Sequence, residues 1–482
     1  MQLLWISILT GISAATWATL SVSQSLASHF NLAAYLIANT LVFVDSIDLL
    51  FRAGMMSFGS GNLWKPTSLM DADSERRDSV FGMNRADMNR FQKRLHVKPW
   101  AIAVSVYNAE SALAEFLSSI DYLRDRIWII DDGSSDGTCD YLRSIGWRCF
   151  RSVTNFKKPG AIEKLVDNLP PEIATVIVID PDIEITSRDN LGLAAIEEVI
   201  FDFQQSGLSA ICPRLAVRSE SFMSKFQMLE YCIAFFGRRS LGKSCITSGI
   251  SLYKRDTFAM MLTHHSKSVY AEDLENSILL LGMGHKVGSE YRLVIQTEPK
   301  NTMSSWFSQR IGWSYGLIKV YFERFKDIRT ITRSSKMNWY QYLCYMGIFS
   351  LLLHPLKTLS LVVIAMSLFK GTLVLLGLTD SDTLSFFEPV YFITTFVKYC
   401  LLMFLTWLTV VPRNERGVLL PVLPVYLLYA LLLTAATAIG YLNWFSLRLI
   451  GHRLVRDHYD DTEESRFNRK KSVAPAWEPQ EV

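Results

Sequence analysis

Two apolar blocks flank a middle region rich in charges of both signs, and this arrangement limits the possible folds more than any motif does. Residues 1–54 carry only Asp45, Asp48 and Arg52 as charged side chains, and residues 339–446 are again sparsely charged. A helix of about 20 apolar residues crosses a hydrocarbon core. LLWISILTGISAATWATLSVS and NLAAYLIANTLVFVDSIDLLF both reach that length. The first has no charged leader and a second apolar span follows it directly, so the pair reads as a transmembrane hairpin rather than a signal peptide. Asp45 and Asp48 are costly in lipid and should face protein or water. WYQYLCYMGIFSLLLHPLKTLSLVVIAMSLFKGTLVLLGL is long enough for two spans turning at His354–Lys357. VYFITTFVKYCLLMFLTWLTVV and VLLPVLPVYLLYALLLTAATAIGYLNWF bring the C-terminal total to about four.

The tail opens with Arg448, His452, Arg453 and Arg456, a positive-inside signature. An even count on each side then puts both termini and the charged middle on the cytoplasmic face of the plasma (inner) membrane. RNERG (413–417) and TDSD (379–382) run against that rule, one basic outside and one acidic inside. The expected organisation is a hairpin at 1–54, a cytoplasmic domain at 55–300, interfacial amphipathic helices at 301–338, a membrane bundle at 339–447 and a disordered tail at 448–482. The seven cysteines are odd in number and form no C-x-x-C pair, so they read as free thiols in a reducing compartment. HH at 264–265 lacks metal-ligand spacing and reads as loop surface. The bilayer is an expected partner and nucleic acid is not.

Within the middle, β-like runs alternate with helical patterns. AIAVSV (101–106), IWIID (127–131) and TVIVID (175–180) are each followed by an amphipathic stretch, which predicts an α/β domain with a mostly parallel sheet. Ligands of such sheets bind beyond the carboxyl ends of the strands. There the chain places Asn108, Asp131, Asp132, Asp180 and Asp182, an acidic rim. Such a rim suits a nucleotide-sugar held through Mg2+ or Mn2+, ions that favour carboxylate and phosphate oxygens. Asp180 and Asp182 are the candidate metal ligands, although acids that merely end a strand would look the same.

DDGSSDG (131–137) makes a tight turn whose paired acids suit a uracil N–H or a ribose. NFKKPGA puts Lys157 and Lys158 at a helix N-terminus, a good place for phosphate. AEDLENSILLLG opens a helix with acids, and Asp273, beside Glu272, is placed to act as a general base. SWFSQRIGWSYGLIKVYFERF mixes aromatic and basic residues and reads as an interfacial helix on which Trp313 could stack a sugar. GRRSLGKS (237–244) matches the phosphate-loop pattern, but it follows a helical stretch and precedes a β-like one, so it is read as a decoy.

The ordered set resembles the processive branch of glycosyltransferase family 2, the hyaluronan, chitin, cellulose and poly-N-acetylglucosamine synthases, from about Ala101 to Trp313. VYNAE is similar to that family's first strand and donor contact, IDDGSSDGT to its uridine-binding acids, and KKPGA to its lysine-containing segment. DPD resembles its D-x-D metal motif, FQMLEY and TSG its acceptor-side segments, Glu272–Asp273 its base motif, and TEP its T-E-T-P stretch. The resemblance implies a GT-A nucleotide-diphospho-sugar transferase fold flanked by transmembrane helices. It implies donor contacts from Tyr107, Asn108, Glu110, Asp131, Asp132, Lys157, Lys158, Asp180, Gln309 and Arg310, and acceptor contacts from Ser248, Gly249 and Trp313. It further implies a UDP-sugar donor and a growing polysaccharide acceptor. One position departs: the family's Q-x-x-R-W requires arginine where this chain has Gly312. The rival expectations are single transfer to a membrane lipid of ceramide or polyprenyl phosphate type, and a scaffold or transporter with a dead transferase domain.

Overall fold

A computed structural model describes residues 31–58, 96–110, 113–187, 193–218, 220–334, 337–380, 384 and 386–457. The first apolar span and the tail beyond Asp457 lie outside these residues. The helices are α1 (Leu32–Phe58), α2 (Leu113–Ile120), α3 (Thr138–Ser144), α4 (Lys157–Asp167), α5 (Leu193–Gln205), α6 (Phe222–Ser240) and α7 (Arg255–His264). They continue with α8 (Glu272–Gly282), α9 (Met303–Glu323), α10 (Phe325–Ser334), α11 (Trp339–Tyr345), α12 (His354–Leu375), α13 (Pro389–Val410) and α14 (Tyr426–Ile450). The strands are β1 (Trp100–Val106), β2 (Ile127–Asp131), β3 (Cys149–Arg151), β4 (Thr175–Ile179), β5 (Ile183–Ser187), β6 (Ala210–Val217), β7 (Ser251–Lys254) and β8 (Val287–Thr297).

The strands form one sheet in the order β3-β2-β1-β4-β7-β6-β8-β5. β3, β2, β1 and β4 are parallel neighbours, as are β6 and β8. β7 runs against both β4 and β6, and β5 runs against β8. Successive side chains alternate between two buried cores. Ala101 and Ala103 face one core, and Ile102, Val104 and Val106 face the other. A strand covered by helices on both faces reads as a continuous apolar run, which explains AIAVSV and TVIVI.

This topology positions the site. β1, β2 and β4 all end at one edge, where Asn108, Asp131, Asp132 and Asp180 emerge. Because β7 is antiparallel to β4, with Val178 opposite Ser251, the segment leading into it (Thr247–Ile250) lies at that same edge. β6 and β8 point the same way as β4, so the chain leaving β8 toward α9 starts there too.

Four helical stretches among the described residues are long and apolar enough to cross a membrane: Leu32–Leu50, Ile348–Leu375, Pro389–Val410 and Arg413–Ile450. The C-terminal part therefore supplies three, against an expectation of about four. Residues 339–353 do not make a separate span. The seven-residue α11 stops at Met346, Gly347 takes a φ of +73°, and a π turn leads directly into α12. The predicted turn at His354–Lys357 is instead the start of α12. His265 also departs from expectation: it is buried, with Nε2 3.3 Å from Glu275 of α8.

α9 is mostly buried and packs along α14. The crossing is tight at Gly440, where an added Cβ would lie 2.7 Å from the Ile311 carbonyl oxygen and 2.8 Å from Ser314 Cβ. Helix propensity alone favours Gly→Ala by about 1 kcal/mol, whereas overpacking costs about 1–3 kcal/mol. Gly440→Val is expected to lower the thermal unfolding midpoint in detergent; an unchanged or raised midpoint would show that the helices have room.

Candidate active site

Four separate stretches of chain meet at one ammonium group. Lys158, the second residue of α4, lies 2.6 Å from Asp180 Oδ1 and 3.1 Å from Glu272 Oε1, and it donates to the Gly249 carbonyl at 3.2 Å. Burial opposes the Lys158 charge, but Asp180 and Glu272 outweigh it and raise the lysine's pKa. Burial pushes the Glu272 carboxyl up, against the pull of Lys158. Asp182, two residues past Asp180 in the turn after β4, is open to water. Surrounding protein still desolvates it and, with the Asp180 charge, raises its pKa.

The loops after β1 and β2 are laced together. The Asn108 amide donates to Ser134 Oγ at 2.8 Å, and Asn108 Oδ1 accepts from the Ser135 amide at 2.9 Å. Glu110 Oε2 accepts from the Gly137 amide at 3.0 Å, while Tyr107 is half exposed beside them. Gly133 is required here: its φ is +77°, and an added Cβ would lie 2.8 Å from the Thr154 carbonyl carbon. Asp131 and Asp132 are buried. Asp131 Oδ1 accepts from the Ser134 amide at 2.9 Å, and Asp131 Oδ2 has no hydrogen-bond partner. Asp132 Oδ1 accepts from the Phe156 amide at 2.7 Å, tying this loop to the start of α4. Lys157 is buried there with a φ of +66°. Asn108 and Ala271 also have positive φ, at +48° and +51°. Such conformations cost about 1–3 kcal/mol for an ordinary residue and collect where a site demands a particular geometry.

At the start of α8, Asp273 Oδ1 accepts from the Leu274 amide at 2.8 Å. Its Oδ2 faces Arg238 Nη2 at 3.8 Å, too long for a hydrogen bond. The Thr247 hydroxyl holds the Asp273 carbonyl at 2.7 Å. Arg238 was not singled out in the sequence as a site residue, and Thr247 entered only as part of the TSG segment. Arg238 belongs to the GRRSLGKS stretch, which is the end of α6 followed by a turn, so the phosphate-loop pattern is indeed misleading. Tyr231, which entered only as the end of the FQMLEY segment, stands two helical turns before Arg238 on the same helix. Burial pushes its phenol up to about 12, and the charges of Arg310, Arg238 and Asp182 all reach it.

Of the expected donor-side pair, Arg310 is engaged within the protein, with Gln309 as one of its partners. The Arg310 guanidinium is buried and donates to both oxygens of Glu230, at 2.9 and 2.8 Å, and to Gln309 Oε1 at 2.5 Å. It also lies 4.0 Å from the centre of the Trp313 ring. Gly312 is buried within α9. Trp313 is partly exposed, 6.3 Å from the Tyr231 ring. Ser248 turns inward, its hydroxyl donating to the Ile250 carbonyl at 2.5 Å and accepting from the Cys212 thiol. From TSG, then, the Gly249 backbone reaches the Lys158 cluster and the Ser248 side chain serves the turn.

Among the described residues no group of three His, Cys, Asp or Glu side chains could hold a metal ion alone. Asp180 and Asp182 offer two carboxylates close enough for one charge to raise the other's pKa. This hard-oxygen set fits Mg2+ or Mn2+ sharing its remaining positions between water and a diphosphate. Beyond the site, a cavity of about 260 Å³ lies between α1, α6, α12, α13 and α14, lined in part by Asp45, Arg52, Glu230, His354, Lys357 and Tyr399. Asp45 is bonded to Lys357 at 2.5 Å and to the Tyr399 hydroxyl at 3.1 Å, so the acid does face protein.

The stretch that holds the strand-end carboxylates and Lys158 is also the one that is recognisable: residues 101–259 match the family model described as Glycosyl transferase family 2. The match covers about a third of the chain, and the protein is a glycosyltransferase. No curated protein matches it. Among solved structures it is similar to a mannosyltransferase from Pyrobaculum calidifontis in complex with GDP-Man and Mn2+. The identity is 15% over 74% of this chain and 98% of that one, with a TM-score of 0.42. GalNAc-T7 with UDP, GalNAc and Mn2+ is similar at 14% identity over 49% of this chain and 51% of that one, TM-score 0.33. Mannosyl-3-phosphoglycerate synthase from Rubrobacter xylanophilus is similar at 14% identity over 54% and 82%, TM-score 0.31.

Burial dominates Asp132 and pushes its pKa up to about 6, against the Phe156 amide that holds its charge. The folded chain therefore binds this proton more tightly than the unfolded one, and stability is lost as pH rises from 3.8 through about 6. Asp132→Asn removes that loss. Its thermal midpoint relative to wild type is expected to be higher at pH 7.5 than at pH 5; a pH-independent difference would mean that the carboxyl is not held this way.

Proposed function

We propose that this protein is an inverting glycosyltransferase that takes a UDP-sugar on the cytoplasmic side of a membrane and elongates a β-linked polysaccharide. The observation that carries the reading is the meeting of Lys158, Asp180, Glu272 and Gly249 at one sheet edge, beside Asp182 and Asp273. Asp131, Asp132 and the 107–110 loop bind the uridine end of the donor. Lys157 and Lys158 sit at the N-terminus of α4, where a diphosphate is favoured. Lys158 then exchanges its carboxylate partners for phosphate oxygens. Asp180 and Asp182 would hold Mg2+ or Mn2+, which when bound neutralises charge on the diphosphate.

Asp273 Oδ2 takes the proton from the acceptor hydroxyl, whose oxygen attacks the anomeric carbon as the bond to UDP breaks. Attack from the face opposite the leaving group turns an α-linked donor into a β-linked product. Trp313 and Tyr231 offer aromatic faces for the acceptor sugar. Glu230 links this side to the intramembrane cavity, because it bonds Arg310 and also lines that cavity. A cavity among the candidate spans that carries several charged side chains in a mostly apolar lining is the second support for a polymer leaving through the bundle. The basic residues at 448–456 support a cytoplasmic catalytic domain.

The competing reading is single transfer to a membrane lipid. It draws on Gly312 and on the commitment of Arg310 to Glu230, which together leave no arginine of the Q-x-x-R-W type. Full-length protein in detergent, given radiolabelled UDP-sugars and Mn2+, is expected to make products long enough to resolve on a gel. Label confined to one sugar on an extractable lipid would replace the polymerase reading with the rival. Asp273→Asn is expected to lower transfer by about 10²–10⁴-fold with UDP affinity retained. Undiminished transfer would remove Asp273 from the mechanism.

A further inference from the structure

The transfer reaction makes no use of two nucleophiles beside the nucleotide loop. Cys139 is the second residue of α3, and Cys149 opens β3, the edge strand of the sheet. Cys139 is buried and Cys149 partly so, and the Cys149 thiol donates to Cys139 Sγ at 3.1 Å. A disulfide closes to about 2.05 Å, so a modest approach would join them.

The pair is chemically unequal. The hydrogen bond from Cys149 pulls the Cys139 pKa down against burial, with help from Arg143. The same bond, and then burial, push the Cys149 pKa up. One thiol is thus the readier nucleophile, and the other keeps its proton until the first has reacted.

Both ends of the pair touch the loop assigned to the nucleotide. Thr138, next to Cys139, donates through its backbone amide to Asp136 Oδ1 at 3.1 Å, and its hydroxyl accepts from the Ala109 amide at 3.0 Å. Arg151, two residues after Cys149, lies 3.9 Å from Asp131 Oδ2 and 4.0 Å from Asp140 Oδ1. That Asp131 oxygen is the buried one with no hydrogen-bond partner. Movement of α3 against β3 therefore acts on the Arg151–Asp131 ion pair.

We propose that Cys139 and Cys149 form a reversible disulfide when a peroxide reaches them, and that the cross-link weakens nucleotide binding by shifting α3 against β3. The Cys139 thiolate attacks a peroxide oxygen. The O–O bond breaks, Cys139 becomes a sulfenic acid, and the second oxygen leaves as water after taking a proton. Cys149 then gives up its proton and its sulfur attacks the Cys139 sulfur. The S–O bond breaks and a second water leaves. The two thiols are oxidised by two electrons in all, and the peroxide is reduced by two. A small-molecule thiol reverses the bond by exchange. Disulfides of this kind in reducing compartments are transient and redox-sensing.

The effect on binding rests on the reading of Asp131–Gly137 as the nucleotide loop. Full-length protein in detergent is treated with hydrogen peroxide, alkylated and mapped by mass. The expected product is a cross-linked peptide pair lighter by two hydrogens, reversed by dithiothreitol. In Cys149→Ser the cross-link is absent and Cys139 is instead captured by a sulfenic-acid reagent. The oxidised wild type is expected to bind UDP with Mn2+ several-fold more weakly than the reduced protein, and reduction restores the affinity. If both thiols remain alkylatable after peroxide, the pair does not form. A cross-link that leaves UDP affinity unchanged overturns the coupling. Reduced protein that fails to bind UDP refutes the nucleotide-loop reading itself, while the mass map still decides the disulfide.

Discussion

One half-buried cation organises the edge of the sheet. The Lys158 ammonium is shared between Asp180 after β4, Glu272 at the head of α8 and the Gly249 carbonyl before β7. A charge drawn partly out of water is tolerated only when partners surround it. The contact also fixes relative positions: it ties the parallel part of the sheet to the loop that enters the antiparallel strand, and both to the helix that carries Asp273. Together the carboxylates are a strongly negative place that one lysine only partly neutralises. In the proposed mechanism, a cation with its diphosphate is what that place is shaped to accept.

The helix carrying Asp273 is gripped from the side of the candidate spans as well. Glu275, one turn into α8, is held by Arg324 at the junction of α9 and α10, by Ser266 and by the buried His265. Tyr270, just before the strained Ala271, donates to Asp457, and Arg453 reaches both. The end of the last candidate span is thus bonded to the turn that launches α8. α9 lies between them, pressed on α14 at Gly440. Under the polymerase reading this continuity is useful. The residue proposed to activate the acceptor is held by the same helices that border the cavity, so growth and exit share a frame.

Much of this was legible in the chain. Apolar runs that stop at acids announced the strands and their ends, because a strand buried on both faces has no reason to end in carboxylates unless its edge is open. The lysines of KKPGA and the acids of AEDLEN could be placed on helix starts for the same kind of reason. What stayed hidden depends on long-range geometry. The antiparallel entry of β7, which brings Gly249 to Lys158, follows from pairing 73 to 79 residues apart rather than from any local pattern. Ser248 and Gly249 are adjacent, and only the fold decides which one faces the cluster. Arg238 was hidden inside a misleading motif, and Arg310 takes its partner from α6, far away in sequence. Residues 339–353 have the composition of a span, but Gly347 and the short α11 break the helix before it becomes one.

The most direct measurement is the anomalous signal of manganese in crystals of the full-length protein grown with UDP and Mn2+. The account predicts a single strong peak beside the Asp180 and Asp182 carboxylates, with the uridine against Asp131 and Asp132 and the Lys158 ammonium turned toward the diphosphate. A peak elsewhere, or UDP bound away from that sheet edge while Lys158 keeps Asp180 and Glu272, would contradict it.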